Sequence, residues 1–190
     1  MKYPKFAEVN GHKYKINTDF RIALECDHIA RDTTISDYER SLAIIYKLYG
    51  DEGLNNSNNY EELLNKAVDY LKCGFDEIPD DNFEEENMDF EQDMWRIEAS
   101  FQSDYKIDLE NTKMHFWKFM RLMNGLTEDC ILNRTRYVRD FDLKDIKDPK
   151  ERKKWEKQKK LVALKKKERP ISDKAKRNQE KFFKLAGIKR

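Results

Sequence analysis

The chain has 190 residues, 39% of them charged against a typical share of about 25%, so one domain with an appendage and a modest core is what the length allows. Net charge is only +1, yet 18 Lys and Arg stand against 6 acids from Asp148 onward; an acidic body (1–147) therefore carries a basic arm (148–190) suited to a polyanion, an acidic protein surface or the chain's own acidic half. Cys26, Cys73 and Cys130 lie far apart with no CxxC, which excludes a disulfide framework and a zinc motif, and neither an apolar leader nor a run of about 20 apolar residues occurs, so a reducing cytoplasm is expected.

FAEV-NG-HKYKI opens the chain. Asn10-Gly11 between β-prone runs predicts a hairpin, which must pack on something because an isolated pair is marginal. Thr18 is a candidate cap for a helix over 21–30, with Phe20, Leu24, Cys26 and His28 inward. Ser36 with Glu39 three residues on forms a capping box. The helix behind it runs to about Tyr49, with Leu42, Ile45, Tyr46 and Tyr49 on one face and Gly50 and Gly53 as stops. NNSNN at 55–59 is a loop. A third helix is expected over 60–72, with Leu63, Leu64, Ala67, Val68 and Leu71 inside and Gly74 as stop.

Residues 75–87, FDEIPDDNFEEEN, carry seven acids and a proline without helical period, so 75–88 reads as an acidic linker. Phe90, Met94, Ile97, Phe101 and Tyr105 then recur at a period near 3.6, predicting a helix over 89–104. The next helix, MHFWKFMRLMNGL at 114–126, has Asn111 or Thr112 as candidate cap and Gly125 as breaker. A short helix is expected over 128–137. Asp148-Pro149 starts a further one, with proline at the first helical position and Trp155, Gln158, Leu161 and Val162 as a thin seam, ending at Arg169-Pro170. Ser172 caps a last helix to about Leu185. The fold class is mainly α, five to seven helices, with a short N-terminal β-hairpin and a basic C-terminal helical arm.

Motifs for catalysis are missing: the chain has no glycine-rich phosphate loop, no GxSxG and no HExxH. His12, His28 and His115 are far apart, so no metal or other cofactor is expected, and a non-enzymatic role follows. Chemistry gives way to contact surfaces. In 114–126, Met114, Phe116, Trp117, Phe119, Met120, Leu122, Met123 and Leu126 cover the helix nearly all round, which means either a core helix or a docking surface. Five of the six methionines fall within residues 88–123, and methionine adapts to varied apolar partners. The candidate partner-binding residues are therefore Phe90, Met94, Met114, Trp117, Met120 and Met123. Trp117 and Phe119 lean towards the core, and Met114, Met120 and Met123 towards a groove edge between this helix and the preceding one. Lys153, Lys154 and Lys157 are the candidate contacts of the basic arm. That arm is a solvated helix, a contact for an acidic protein or a grip on phosphates; it lacks the aromatic interleaving of a single-strand platform, which makes nucleic acid the lesser option.

The order of several short motifs resembles a bacteriophage family named after "gene product fifteen". INTDFR at 16–21 is similar to its entry motif. Asp89-Phe90, Ile107 to Leu109, HFWKF at 115–119, NGL at 124–126, the 137–143 stretch and the Lys-rich 150–164 helix follow in the family's order. The resemblance covers about 9–164. Phe116 stands where the family has a first Trp, and a residue separates Tyr137 from Arg139. The resemblance implies a siphophage tail assembly chaperone. Its implied partners are the tape measure protein and tail tube protein, with self-association along the client, and its implied location is the host cell cytoplasm rather than the mature virion. A nucleic-acid-binding or packaging accessory, or a structural virion subunit, are the other classes that the residues leave open.

Overall fold

Asn10 and Gly11 take positive φ, 52° and 77°, as a two-residue hairpin turn requires. They fold β1 (Phe6–Val9) antiparallel onto β2 (His12–Lys15), with Val9 opposite His12. The computed structural model describes residues 3–74 and 87–165. Alternation along the strands buries Ala7, Val9 and Tyr14, which is how the hairpin escapes marginal stability: β2 lies on α2 and β1 on α3.

Seven α-helices occur among the described residues: α1 (Phe20–Arg31), α2 (Asp37–Leu54), α3 (Tyr60–Leu71), α4 (Met94–Tyr105), α5 (Phe116–Asn124), α6 (Ile131–Asp140) and α7 (Pro149–Val162). The mainly helical class with a leading hairpin is what the chain adopts. Helices α1, α2 and α3 pack in sequence, and α5 bridges α1 and α4. Phe119 of α5 lies stacked between Phe20 of α1 (4.6 Å) and Phe101 of α4 (5.3 Å). All three rings are buried, each contributing roughly 1.5–3 kcal/mol by leaving water. Ser100 of α4 links onward, its Oγ donating to the Arg96 carbonyl and accepting from the Leu132 amide of α6.

The Ser36–Glu39 capping box forms as expected, each side chain taking the other's backbone amide. Asp148 caps α7 with Pro149 behind it. Other ends differ from expectation. Asp19, not Thr18, caps α1, because the Thr18 carbonyl accepts from Phe116 N while the Asp19 carboxylate takes Arg21 N. His115, not Asn111 or Thr112, caps α5: the Asp108 carboxylate holds Asn111 and the Glu110 amide in a turn. Helix α4 begins at Met94, since residues 90–93 are spent on a turn around Asp89. Cys130 caps α6, whose start falls later than 128. Helix α7 stops at Val162, where Ala163 turns extended.

Gly50 (φ 66°) does not end α2 but kinks it, and Asn17 N–H donates to the Leu48 carbonyl beside the kink. The buried face is Ile44, Ile45, Leu48 and Tyr49, with Tyr46 outside. Tyr70 takes the inward place in α3 and Val68 is exposed. His28 likewise faces out, towards Glu91. Of the α7 seam, Trp155 and Val162 are half-buried, while Gln158 and Leu161 are exposed. The expected Ser172-capped helix, and residues 75–86 of the expected linker, lie outside the described residues.

Candidate docking surfaces

Two helices begin side by side at one short antiparallel bridge, Asp19 with His115. Phe20 N–H donates to the Met114 carbonyl (3.0 Å) and Phe116 N–H to that of Thr18 (2.8 Å). Each bridge residue is also a helix cap. The His115 Nδ1 accepts from Trp117 N–H (3.1 Å), which leaves Nε2 to donate to the Pro4 carbonyl (2.8 Å). Arg21 closes the junction, donating to both oxygens of Asp19 and to the carbonyls of Leu109 and Glu110. The INTDFR and HFWKF motifs are thus two halves of one joint, set by backbone geometry.

That joint decides the fate of 114–126. Met114 (5% exposed) and Met123 (9%) are core residues. The expectation that they edge a groove is corrected: the bridge turns Met114 inward, and Met123 shares the inward face with Phe116 and Phe119. Trp117 is half-buried. Its indole Nε1–H donates to the Tyr70 carbonyl (2.8 Å), its ring lies beside that of Tyr70, and Gly74 approaches so closely that a Cβ there would sit 3.3 Å away. Met120 is half-buried at the core margin.

Phe90 and Met94 come together, but against α1 rather than α5. With Leu24 they floor a groove of about 260 Å³ between α1 and the turn entering α4. Its rim carries Glu25, Asp27, Asp89 and Glu91 against Arg21 and Arg31, with His28 paired to Glu91 across the mouth (3.4 Å). The α1 wall was not anticipated, although Arg21, Leu24, His28 and Arg31 recur every three or four residues and so share a face. A second, wider depression of about 880 Å³ runs along the joint, lined by Lys15, Lys47, Lys113, Asp19, Asp51 and Glu52 among others.

Next to Met94 in the chain, and bonded to the amide of the groove residue Asp89, Asp93 belongs to a buried charge cluster that sequence reasoning missed. Asp93 has no exposed side-chain surface and Arg139 only 8%. Arg139 grips both Asp93 oxygens (2.7 and 2.8 Å) and donates to the carbonyls of Asn87 (2.7 Å) and Val162 (2.6 Å). Arg96 adds a third bond to the carboxylate (2.8 Å). Burial alone would raise the Asp93 pKa; the Arg139 hydrogen bonds, the Asp89 amide and the two guanidinium charges outweigh it and hold the carboxyl below its ordinary value. One arginine therefore ties together the start of α4, helix α6 and the end of α7.

Helix α7 lies on α6 through aromatic contacts. Trp155 stacks on Phe141 at 4.1 Å and meets Tyr137 edge-on, and Lys159 donates to the Phe141 carbonyl. Lys153, Lys154 and Lys157 all point to solvent. Cys26, Cys73 and Cys130 are buried free thiols, and burial pushes Cys26 and Cys73 up to about 12, far from reactive thiolates. Among the described residues, no cluster of three or more His, Cys, Asp or Glu could hold a metal ion, and no helix is long and apolar enough to cross a membrane.

Fold and surface together define a mainly helical protein that offers an apolar groove with a charged rim and a lysine-bearing helix. The family model described as Bacteriophage Gp15 protein matches residues 2–164, and the chain belongs to that family. No curated protein and no solved structure matches it.

Proposed function

We propose that this protein is a non-enzymatic tail assembly chaperone of a long-tailed phage. It acts in the host cytoplasm, covers apolar helical segments of the tape measure protein, helps to recruit tail tube subunits, and leaves before the particle is complete. Family membership carries the reading, since the match spans the hairpin and all seven helices. The physics agrees with it. A long helical client exposes apolar faces that aggregate unaided, and a helix can lay such a face in a groove. The client contact is assigned to the Phe90, Met94 and Leu24 groove, with Met120 and the half-buried edge of Trp117 as a second patch. Met114 and Met123 drop out because they are buried. Lys153, Lys154 and Lys157 serve charge pairing with an acidic protein, either a tube subunit or the acidic body of a neighbouring copy.

Co-expression with the tape measure protein tests the reading. The client stays soluble and full-length in the presence of this chain and is lost without it; equal recovery in both cases sinks the proposal. A second reading rests on the three outward lysines of α7, which could neutralise phosphates. Filter binding to DNA at two salt concentrations decides it, because phosphate contacts give a steep salt dependence. No retention at low salt removes it.

A further inference from the structure

We propose that the groove between α1 and the turn entering α4 is a docking site for the chain's own residues 166–190. The groove is smaller than the roughly 300–1,000 Å³ of small-molecule sites, and at about 260 Å³ it suits inserted side chains rather than a cofactor. Its floor of Leu24, Phe90 and Met94 asks for apolar anchors; its rim carboxylates are already held, Glu25 by Lys47, Asp27 by Arg31, Glu91 by His28 and Asp89 by the Glu91 and Gln92 amides, so charge adds only a mild preference for a basic segment. Residues 166–190 have that composition: ten Lys and Arg against three acids, with Phe182, Phe183, Leu185 and Ile188 close together.

The point of departure favours the same occupant. Gln92, between the groove residues Glu91 and Met94, clasps the backbone of Lys165 in both directions. Its Oε1 accepts from Lys165 N–H (2.8 Å) and its Nε2 donates to the Lys165 carbonyl (3.2 Å). Arg139 holds the Val162 carbonyl just before. The last described residue, Lys165, is therefore held at the turn that forms one wall of the groove. The 16 residues between Lys165 and Phe182 span roughly 50 Å if extended and roughly 24 Å if helical, so reach sets no obstacle. A tether this short supplies a millimolar effective concentration, and weak anchoring then suffices. The proposal does not rest on the client reading, because the contact forms with no client present.

Photo-cross-linking of the full chain tests it. A benzoyl-phenylalanine residue replaces Leu24 or, should that variant not fold, the exposed His28; unlabelled and 15N-labelled copies are mixed before irradiation. The expected product joins the groove to a peptide containing residues 182–188, within one isotopic chain. Its yield falls about tenfold when Phe182→Asp and Phe183→Asp remove the anchors. Links between differently labelled chains would instead assign the groove to a second copy. That result, no link to 182–188, an unchanged yield in the aspartate pair, or an equal yield from a probe at the exposed Val68 overturns the proposal.

Discussion

Asp93 shows how much can depend on a single buried carboxylate. It accepts from Arg139, Arg96 and the Asp89 amide at once. Replacing it with Asn leaves two guanidinium groups without their counter-charge, one of them almost wholly buried. Removing one partner of such a pair costs about 3–5 kcal/mol, so Asp93→Asn should lower the chemical-denaturation midpoint sharply. The pH dependence has a definite sign. The folded carboxyl titrates below its ordinary 3.8, so its stabilisation is complete above that value and is lost as pH falls through the folded pKa. An acid titration followed by circular dichroism should therefore show a steeper loss below about pH 4 in the natural chain than in Asp93→Asn. Gly53 is the opposite kind of residue, needed for what it lacks. A Cβ there would lie 2.8 Å from Tyr49 Cβ and 2.9 Å from Ile45 Cγ2. Alanine gains about 1 kcal/mol of helix propensity, but overpacking costs about 1–3 kcal/mol. Gly53→Ala should lower the melting temperature; a rise would show that α2 yields easily beyond its Gly50 kink.

At the scale of elements, α7 differs from the other helices in having no buried residue. Its attachment rests on Trp155 over Phe141, on Lys159, and on Arg139 at its end. Removing the stacked ring takes away about 1–2 kcal/mol of docking. Trp155→Ala should thus speed amide exchange over residues 152–162 roughly tenfold, with the exchange of α3 and α5 unchanged; a cooperative loss across the whole chain would mean that α7 belongs to the core. The same contrast explains what could be read in advance. Ser36 was legible as a cap because its partner lies three residues on, Asp148-Pro149 as a helix start because proline suits the first helical position, and the Asn10-Gly11 turn because φ alone demands it. Asp19 and His115 were not, because a bridge between segments nearly a hundred residues apart sets them. The Phe90 and Met94 groove was half legible: the period of apolar residues gave one wall, and the packing partner, α1 instead of α5, was a tertiary matter. The Asp93–Arg139 pair had no local signal, since single charges in a chain that is 39% charged are indistinguishable.

For the whole molecule, the proposed function divides residues that hold the body together from residues proposed to meet a partner. Trp117, apart from its exposed edge, stands with the first and Phe90 with the second. Trp117 is anchored by a hydrogen bond to Tyr70 and by close packing on Gly74, so Trp117→Ala should cost about 3–5 kcal/mol and unfold the chain, and the proposed client protection should go with it. Phe90 and Met94 are half-buried on the groove floor. Replacing both with Glu puts charge where the client's apolar face is proposed to seat, while the aromatic stack of Phe20, Phe119 and Phe101 stays intact. Hot-spot anchors contribute about 2 kcal/mol or more each, roughly thirty-fold in affinity. The Phe90→Glu, Met94→Glu chain should therefore melt within a few degrees of the natural one and yet leave the co-expressed tape measure protein insoluble. Full protection by that double variant would move the client site to the Met120 and Trp117 edge. If residues 166–190 fill the groove as proposed, removal of Phe182 and Phe183 should act the other way and open the groove to the client: recovery of soluble client should rise. If recovery falls instead, residues 166–190 contribute to client binding rather than compete with it.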